Sequence, residues 1–390
     1  MLLLLTETSG KDQIWSMKPD GTGHRKLVEG KSGVRFKSLT WSPVGDAVYY
    51  FRDEGGTTEL VKLPLSDPSK GPSVLVSGLE TGDNFTVSAD GSQLAYTRDQ
   101  SYYNLWLVEL PVPGATTQTL GRPLTSGTLS YGEPAISPDG RSVAFTIGSD
   151  KSNVYKMAAN GGELVQLTSF DAAETWSPAW SPDGARIAFT SDQGGTWKVW
   201  VVNADGGTAR PLEKTDDSAT NHELAWFPSR DILYAKSGLH NLHRLNVETQ
   251  EENSLLSADS TGWLVFKAEF SPDGKKIAIY WNRIPVEGAW IITLENFSAS
   301  LLYPAVNPFG WSSDGKFIYA VDSKGGRSGR EILQIELGDS KKPRSVITLP
   351  GDIRYGTVSP DGRKIIVTVR EEKSDVWLMK DFDPQTIRVE

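Results

Sequence analysis

The residues of this chain that could do chemistry are serine–aspartate pairs two positions apart, as in Ser181-Pro182-Asp183-Gly184. A nucleophilic serine needs an adjacent base, usually a histidine, and a fold normally holds one such site. Here the pair recurs along the chain and no histidine lies beside it. The pairs are therefore predicted to be turns, in which proline presets φ, aspartate bonds the neighbouring backbone, and glycine accepts the positive φ of a hairpin corner.

Histidines and acidic pairs give little support for a metal site. The closest two of the four histidines, His240 and His243, are three residues apart on a predicted strand, so their side chains point to opposite faces. His24 and His222 are isolated, and the pair Asp216-Asp217 is typical of a solvated loop. The chain has no cysteine, which excludes disulfides, thiolate catalysis and cysteine-ligated zinc. We expect no metal and no other cofactor.

Two catalytic or nucleotide-binding motifs are absent from the sequence. A hydrolase of the prolyl oligopeptidase type needs a Gly-x-Ser-x-Gly elbow, and a P-loop needs Gly-x-x-x-x-Gly-Lys-Ser/Thr; neither occurs. The formal net charge of −9 also argues against nucleic acid as a partner, because binding to phosphates needs a basic footprint.

The apolar start of the chain is predicted to be a β-strand. Leu2–Leu5 are followed at once by Thr6 and Glu7, and no basic residue precedes them, whereas an export signal has a basic segment and a longer apolar run. No run approaches the ~18 apolar residues of a transmembrane helix, so no membrane insertion is expected. The compartment stays open between periplasm and cytoplasm.

The serine–aspartate pairs belong to a repeat with a period of about 45 residues, which is the period of a four-stranded propeller blade. Eight segments align on one anchor position, which is serine in all but the fifth: Ser42, Ser88, Ser137, Ser181, Phe227, Ser271, Ser312 and Ser359. In the fifth segment Ser229-Arg230-Asp231 replaces the usual turn, and an irregular hairpin is expected there.

Each repeat is predicted to contain four strands, A to D. In the clearest one they are residues 178–181, 186–190, 198–203 and 209–212. The residue before the anchor is large and apolar, as in Trp180, and the one before that is usually small, as in Ala179. Alternation puts the two on opposite faces of strand A, so the tryptophans are predicted to fill the spaces between neighbouring blades.

The predicted fold class is therefore all-β: a β-propeller of four-stranded antiparallel blades, with eight full repeats and an incomplete N-terminal one. Residues 1–30 supply three strands of a first blade, and residues 31–390 supply the eight repeats. We expect residues 1–390 to form a single propeller domain of eight or nine blades.

The repeat resembles that of the TolB-like propeller family, through PAWSPDGARIAFT (178–190) and VWVVNADGG (199–207). The resemblance extends over nearly the whole chain. The stretches IAIYWNR (277–283) and SDVWLMKDFDP (374–384) are similar to propellers attached to bacterial serine/threonine kinases and winged-helix regulators. This resemblance implies a sensory or protein-binding module.

The predicted binding surface is the ring of D–A loops at the mouth of the propeller, because function usually lies on loops carried by a rigid scaffold. Four and five residues before the anchors, these loops carry a mixture of charged and aromatic residues: Lys37, Asp83, Glu133, Trp176, His222, Glu223, Lys267, Arg354 and Tyr355. The neighbouring B–C loops add Arg98, Tyr102, Tyr103 and Arg283.

The sequence leaves three possible functions open. The favoured prediction is a non-enzymatic binding or sensor module of a signalling or envelope protein, with a protein, peptide or small ligand at the mouth. The alternative is a lyase or glycosidase that uses Glu133, His222 and Glu223 at the channel mouth. The third is a purely architectural platform that binds a partner through its outer strands.

Overall fold

We describe the fold from a computed structural model. It describes residues 2–43, 45, 47–66, 71–79, 84–111, 119–149, 151–212, 215, 219–236, 241–256, 262–264, 268–283, 285–323, 329–338 and 342–383. Every helix or strand in these ranges is a β-strand, as predicted. No helix in the described ranges has the length and apolar character needed to cross a membrane.

The chain divides into two compact units, and each is described by itself. Unit 1 comprises residues 1–100 and 372–390, and unit 2 comprises residues 101–371. The division falls inside two long strands, β9 (Gln93–Glu109) and β33 (Lys364–Lys380). The expectation that residues 1–390 form one propeller domain stays a prediction.

Unit 1 contains a three-stranded and a four-stranded antiparallel sheet, together with strand β8 (Phe85–Val87), which pairs with β9. The first sheet is formed by β1 (Leu2–Thr8), β2 (Lys11–Met17) and β3 (Arg25–Glu29). The second is formed by β4 (Val34–Trp41), β5 (Ala47–Glu54), β6 (Thr57–Pro64) and β7 (Ser73–Leu79). The three strands of the first sheet lie where the sequence predicts three strands, and the interpretation of this sheet as an incomplete blade stays a prediction.

Unit 2 contains six sheets, which we name I to VI. Sheet I has the order β10-β9-β33-β32 and includes β10 (Leu120–Pro123) and β32 (Asp352–Val358). Sheet II is β11 (Tyr131–Ile136), β12 (Ser142–Gly148), β13 (Ser152–Ala158) and β14 (Val165–Gln166). Sheet III is β15 (Thr175–Trp180), β16 (Arg186–Ser191), β17 (Lys198–Asn203) and β18 (Arg210–Pro211).

The remaining three sheets follow along the chain. Sheet IV is β19 (Ala219–Trp226), β20 (Ile232–Lys236), β21 (Asn241–Leu245) and β22 (Glu252–Leu256). Sheet V is β23 (Gly262–Leu264), β24 (Glu269–Phe270), β25 (Lys276–Arg283), β26 (Gly288–Thr293) and β27 (Ser298–Pro304). Sheet VI is β28 (Val306–Trp311), β29 (Phe317–Asp322), β30 (Glu331–Glu336) and β31 (Arg344–Thr348).

The six sheets of unit 2 pack on one another in a closed cyclic order. Each adjacent pair, from I and II to V and VI, shares a cluster of buried apolar side chains. Sheets VI and I share another, in which Phe309 packs with Val367 and Val108. The cycle closes within sheet I, which combines β9 and β10 from the early part of the chain with β32 and β33 from its end.

Strands β9 and β33 differ from the sequence expectation, which placed a B–C hairpin in each. Both run without interruption for 17 residues. The other B–C connections contain glycine, as in Gly194-Gly195, or have glycine at the adjoining strand end, as in Gly148 and Gly288, but the corresponding segments 97–103 and 369–374 contain neither glycine nor proline. Without a residue that readily adopts turn geometry, the chain continues as a strand.

The Ser-Pro-Asp-Gly segments form hairpin corners, as predicted. In sheet III the Ser181 hydroxyl donates to Asp183 at 2.6 Å and accepts the Arg186 amide at 2.9 Å. Gly184 adopts a φ of 70° and its amide donates to the Ser181 carbonyl. The same hydroxyl contacts recur at Ser88, Ser137, Ser271, Ser312 and Ser359.

The fifth corner is irregular, also as predicted. The Phe227 amide donates to the Asp231 carbonyl, which makes this hairpin one residue shorter than the others. Arg230 adopts the positive φ, at 71°, that glycine has elsewhere. The buried Asp231 carboxylate accepts from Arg244 and Asn246 and thereby holds the corner to strand β21.

Large residues before the anchors pack on small residues of the preceding sheet, which confirms their predicted position between blades. The Trp180 indole donates to the Ala135 carbonyl of sheet II at 2.9 Å, and the Trp226 indole donates to the Ala179 carbonyl of sheet III at 3.0 Å. The Val358 side chain lies against Gly310, where an added Cβ would be 2.3 Å from Val358 Cγ2.

We expect Gly310→Ala to destabilise the protein by about 1–3 kcal/mol, because the added methyl group overpacks a rigid inter-sheet contact. Chemical denaturation checks this. Gly45→Ala is the matched control, since its Cβ would meet its nearest neighbour at 3.6 Å. Equal stability of the two variants would show that the sheets separate without cost at Gly310.

We expect stability to fall between about pH 4 and pH 2 because of the corner aspartates. The corner serine donates a hydrogen bond to each aspartate and thereby lowers the pKa of the carboxyl. The pKa falls to about 2 at Asp90. It is also lowered at Asp139, Asp183, Asp273 and Asp314. A folded-state pKa below the unfolded value of about 3.9 stabilises the protein above that pH, and the contribution is lost as the carboxyl protonates.

Denaturation at a series of pH values tests this expectation. Replacing Asp139, Asp183, Asp273 and Asp314 together by asparagine should flatten the decline, whereas the exposed control Asp171→Asn should leave it unchanged. A decline of the same steepness in the fourfold variant would assign acid sensitivity to other carboxyls.

Candidate functional site

A pocket of about 280 Å³ lies in unit 2 where sheets I, II and III meet. Four aromatic side chains line it, from Tyr103, Tyr131, Trp176 and Tyr355. The remaining lining combines charged, hydroxyl and glycine residues: Glu174, Arg354, Ser130, Ser149, Ser152, Thr146, Thr175, Thr368, Gly132 and Gly148. An apolar concavity with a few polar groups is the usual form of a small-ligand or peptide-side-chain site.

β-bulges in the inner strands, rather than loops, position the predicted mouth residues. Register shifts occur between Gly132 and Ala135 in β11, between Trp176 and Ala179 in β15, and between Ile353 and Tyr355 in β32. A bulge adds a residue to one strand and re-aims the side chains beside it. The placement on D–A loops was therefore wrong for Glu133, Trp176, Arg354 and Tyr355, which all lie within strands.

Arg354 and two tyrosines form one side of the pocket. Arg354 Nη1 donates to the Tyr103 hydroxyl at 3.0 Å, and its guanidinium lies 5.7 Å from the ring centres of both Tyr103 and Tyr355. Desolvation acts to lower the pKa of Arg354, but Tyr355 and Tyr103 outweigh it and the net pKa is raised. The site therefore holds a permanent cation between two rings.

Trp176 and Glu174 form the opposite side. The Trp176 indole donates to the Glu174 carboxylate at 3.2 Å. The backbone of Glu174 is bonded in both directions, because its amide donates to Asp192 and its carbonyl accepts from Ser191. This side of the pocket is therefore fixed to the end of strand β16.

Tyr131 and two glycines complete the apolar wall. Tyr131 is buried and packs against Phe145, and burial raises the pKa of its hydroxyl. Gly148 has a φ of 127°, and an added Cβ would be 1.9 Å from the Lys151 carbonyl oxygen, so only glycine fits there. A Cβ at Gly132 would similarly lie 2.7 Å from Thr146 Oγ1.

Among the described residues that line the pocket, Thr368 has a buried hydroxyl group that forms no hydrogen bond. Its side chain is fully buried, and Oγ1 has no hydrogen bond among the described residues. Thr190, at the same position of sheet III, donates instead to the Trp176 carbonyl at 3.3 Å. Sequence reasoning missed Thr368, Glu174 and Tyr131. A threonine nine residues after the anchor recurs in the repeats, at Thr146 and Thr190 for example, and could have identified Thr368.

Glu133 lies beside the pocket but acts within the scaffold. Its buried carboxylate accepts a hydrogen bond from the Ser177 amide of the neighbouring sheet, and both residues have a left-handed φ near 50°. Glu133 therefore connects the bulges of β11 and β15. This contact argues against the catalytic role that the lyase or glycosidase alternative gave it.

The remaining predicted mouth residues are located as follows. Lys37 lies in unit 1 and forms an ion pair with Asp53 at 3.8 Å. His222 and Glu223 lie in strand β19, while Asp83 and Lys267 lie outside the described residues.

Of the four B–C residues, Tyr103 alone lines this pocket. Tyr102 precedes it in β9. Arg98 lies over Trp377 in unit 1, and Arg283 lies over Trp281 and Trp290 in sheet V. In the described part of the chain, no group of three or more metal-ligating side chains is arranged to hold a metal ion.

Comparison with known proteins supports the TolB-like repeat. Residues 116–263 match the model of the family described as TolB beta propeller domain. The structure of a putative TolB from Agrobacterium tumefaciens superposes with a TM-score of 0.53 and 16% identity, over 70% of this chain and 99% of that one. At this identity the likeness concerns the fold alone.

Two curated relatives are named as enzymes that act on peptides. The uncharacterized peptidase YuxL of Bacillus subtilis is 29% identical over 51% of this chain and 29% of its own length. The lasso peptide isopeptidase AtxE2 of Asticcacaulis excentricus is 25% identical over 48% of this chain and 28% of its own length. The chain thus spans less than a third of the length of either relative.

These names contradict the prediction of a non-enzymatic binding or sensor module, which was wrong. That prediction relied on the missing catalytic motifs, but repeats of one fold serve many functions, so the repeat itself does not distinguish a sensor from part of an enzyme. What the repeat, the sheets and the comparisons establish together is an all-β chain with a TolB-like β-propeller fold.

Proposed function

We propose that this chain is the propeller part of a peptide-hydrolysing enzyme and that the pocket of unit 2 binds its peptide substrate. The observation that carries the proposal is the similarity of about half the chain to relatives named as peptidases. The proposal assigns substrate binding to the pocket, and it assigns no bond cleavage to it.

The chemistry of the pocket supports peptide binding. A peptide presents apolar side chains, amide N–H donors and carbonyl acceptors within a few ångströms of one another. The pocket offers aromatic surfaces for the apolar side chains, the Glu174 carboxylate for the N–H donors and the Arg354 guanidinium for the carbonyl acceptors. Residues of three sheets contribute, so the site is as rigid as the packing that joins them.

Ser152 shows why the pocket is assigned binding rather than nucleophilic chemistry. Its hydroxyl donates to the Thr175 carbonyl at 2.9 Å and accepts the Thr175 amide at 2.7 Å. Both contacts are to buried backbone and join sheet II to sheet III. A serine hydroxyl that both donates to and accepts from backbone groups has a structural role, because a nucleophilic serine instead needs a base to take its proton.

The finer resemblance to propellers of bacterial kinases and winged-helix regulators stays a prediction about the repeat subgroup. The expected partner class, a protein or peptide, fits the proposed role as a substrate. A small ligand of the same chemistry fits it equally.

We expect Trp176→Ala to lower kcat/KM for peptide hydrolysis about tenfold, mainly through KM, because it removes an aromatic wall that touches substrate in the ground state. The complete natural polypeptide is incubated with a defined peptide mixture, and the products are followed by mass spectrometry. Trp377→Ala is the matched control, because Trp377 is an exposed tryptophan of unit 1.

Failure of the wild-type protein to hydrolyse or bind any peptide would overturn the proposed function. Hydrolysis with equal loss in the two tryptophan variants would keep the activity but remove the pocket from it.

A further inference from the structure

Thr368 offers a buried hydrogen-bond donor that no described residue uses. Buried hydroxyl groups nearly always have a partner, because an unsatisfied one loses its bonds to water without replacement. Thr368 Oγ1 has none among the described residues and lines the pocket. Its side chain is thus placed to donate to an acceptor atom of a bound molecule.

Arg354 offers a positive charge that no described carboxylate pairs with. No ion pair of Arg354 occurs among the described residues, although many other arginines of the chain have one, such as Arg330 with Asp352. The guanidinium has five N–H donors in a planar fork, and Tyr103 accepts one of them. An arginine held between two rings and aimed at a pocket is suited to bind an anion with two oxygens.

The two donors lie on paired strands of sheet I. Thr368 of β33 is the direct register partner of Tyr355 in β32, and Arg354 is the residue that the adjacent bulge leaves unpaired. The bulge brings the guanidinium to the same end of the sheet as the hydroxyl. A carboxylate held there would receive a charged bidentate contact and a neutral one.

The rest of the pocket fits the body of a peptide that ends in an apolar residue. Tyr131 and Trp176 supply apolar surface, and the Glu174 carboxylate on the β15 side can accept the main-chain N–H of such a ligand. A fatty acid has a carboxylate but no N–H for Glu174. The arrangement favours a peptide end, in which the carboxylate, the side chain and the amide are adjacent.

We propose that the pocket recognises the terminal carboxylate of a peptide, with Arg354 and Thr368 as its binding residues. This inference rests on the proposed function and specifies which part of a peptide the pocket holds. It implies that peptides are selected by a free end and that internal peptide segments or amidated ends bind weakly.

Calorimetric titration with a matched pair of ligands tests the inference. N-acetyl-alanyl-phenylalanine is compared with the same compound carrying a C-terminal amide, and the acid should bind at least about tenfold more tightly. Glucuronic acid serves as a carboxylate without a peptide. Phenylacetate serves as a carboxylate with an aromatic ring and no amide.

Variants then assign the preference to residues. Arg354→Gln should abolish the difference between acid and amide, and Arg354→Lys should retain part of it. Thr368→Val, which keeps the shape and removes the hydroxyl, should weaken the acid several-fold and leave the amide unchanged. Arg141→Ala is the control, since Arg141 is exposed at a hairpin corner. Thermal melting confirms that each variant folds, and Arg354→Lys remains informative if Thr368→Val does not fold.

The outcomes separate this inference from the proposed function. Equal binding of acid and amide overturns carboxylate recognition while peptide binding stands. Binding of neither peptide form overturns both. Tighter binding of glucuronic acid or phenylacetate than of the peptide acid overturns the peptide as the source of the carboxylate. An Arg354→Gln variant that retains the preference removes Arg354 from the site.

Discussion

At six hairpin corners the register between the inner strand and its neighbour depends on one hydroxyl group, that of the corner serine. In sheet III the Ser181 hydroxyl accepts the Arg186 amide and donates to Asp183, so the first residue of strand β16 is fixed relative to the last residue of β15. A shift by one residue would turn every side chain of the strand to the opposite face. The corner therefore decides which residues face neighbouring sheets and which reach the pocket.

Packing between sheets follows from that register. With the anchor fixed, Trp180 faces sheet II and its indole reaches the Ala135 carbonyl, two residues before the anchor of that sheet. The same relation joins Trp226 to Ala179. The tryptophan contributes both its size and its hydrogen-bond donor, so an apolar substitute would remove the indole hydrogen bond to the carbonyl of the preceding sheet.

The fold could be predicted from sequence because it rests on local chemistry repeated many times. Proline, aspartate and glycine fix the corners, and alternation fixes the faces, so the strands around Ser181 agree with the prediction to within a few residues. The site could not be predicted in the same way. A bulge at Trp176 or Arg354 depends on contacts with other sheets, and the meeting of Thr368 with Trp176 depends on three sheets packing together. The long strands β9 and β33 show the same limit, because the regular period predicts a hairpin there although the segment lacks a turn-forming residue.

The position of the pocket connects ligand binding to the way unit 2 closes. Tyr103 comes from the early part of the unit and Arg354 from its end, 251 residues later, and their hydrogen bond spans the sheet in which the cycle of six sheets closes. A ligand held by Arg354 and Thr368 on one side and by Trp176 on the other would bridge sheet I and sheet III. A ligand that binds only the folded arrangement of these sheets stabilises that arrangement by mass action. The residues proposed to bind the ligand thus lie at the junction where the cycle of sheets closes.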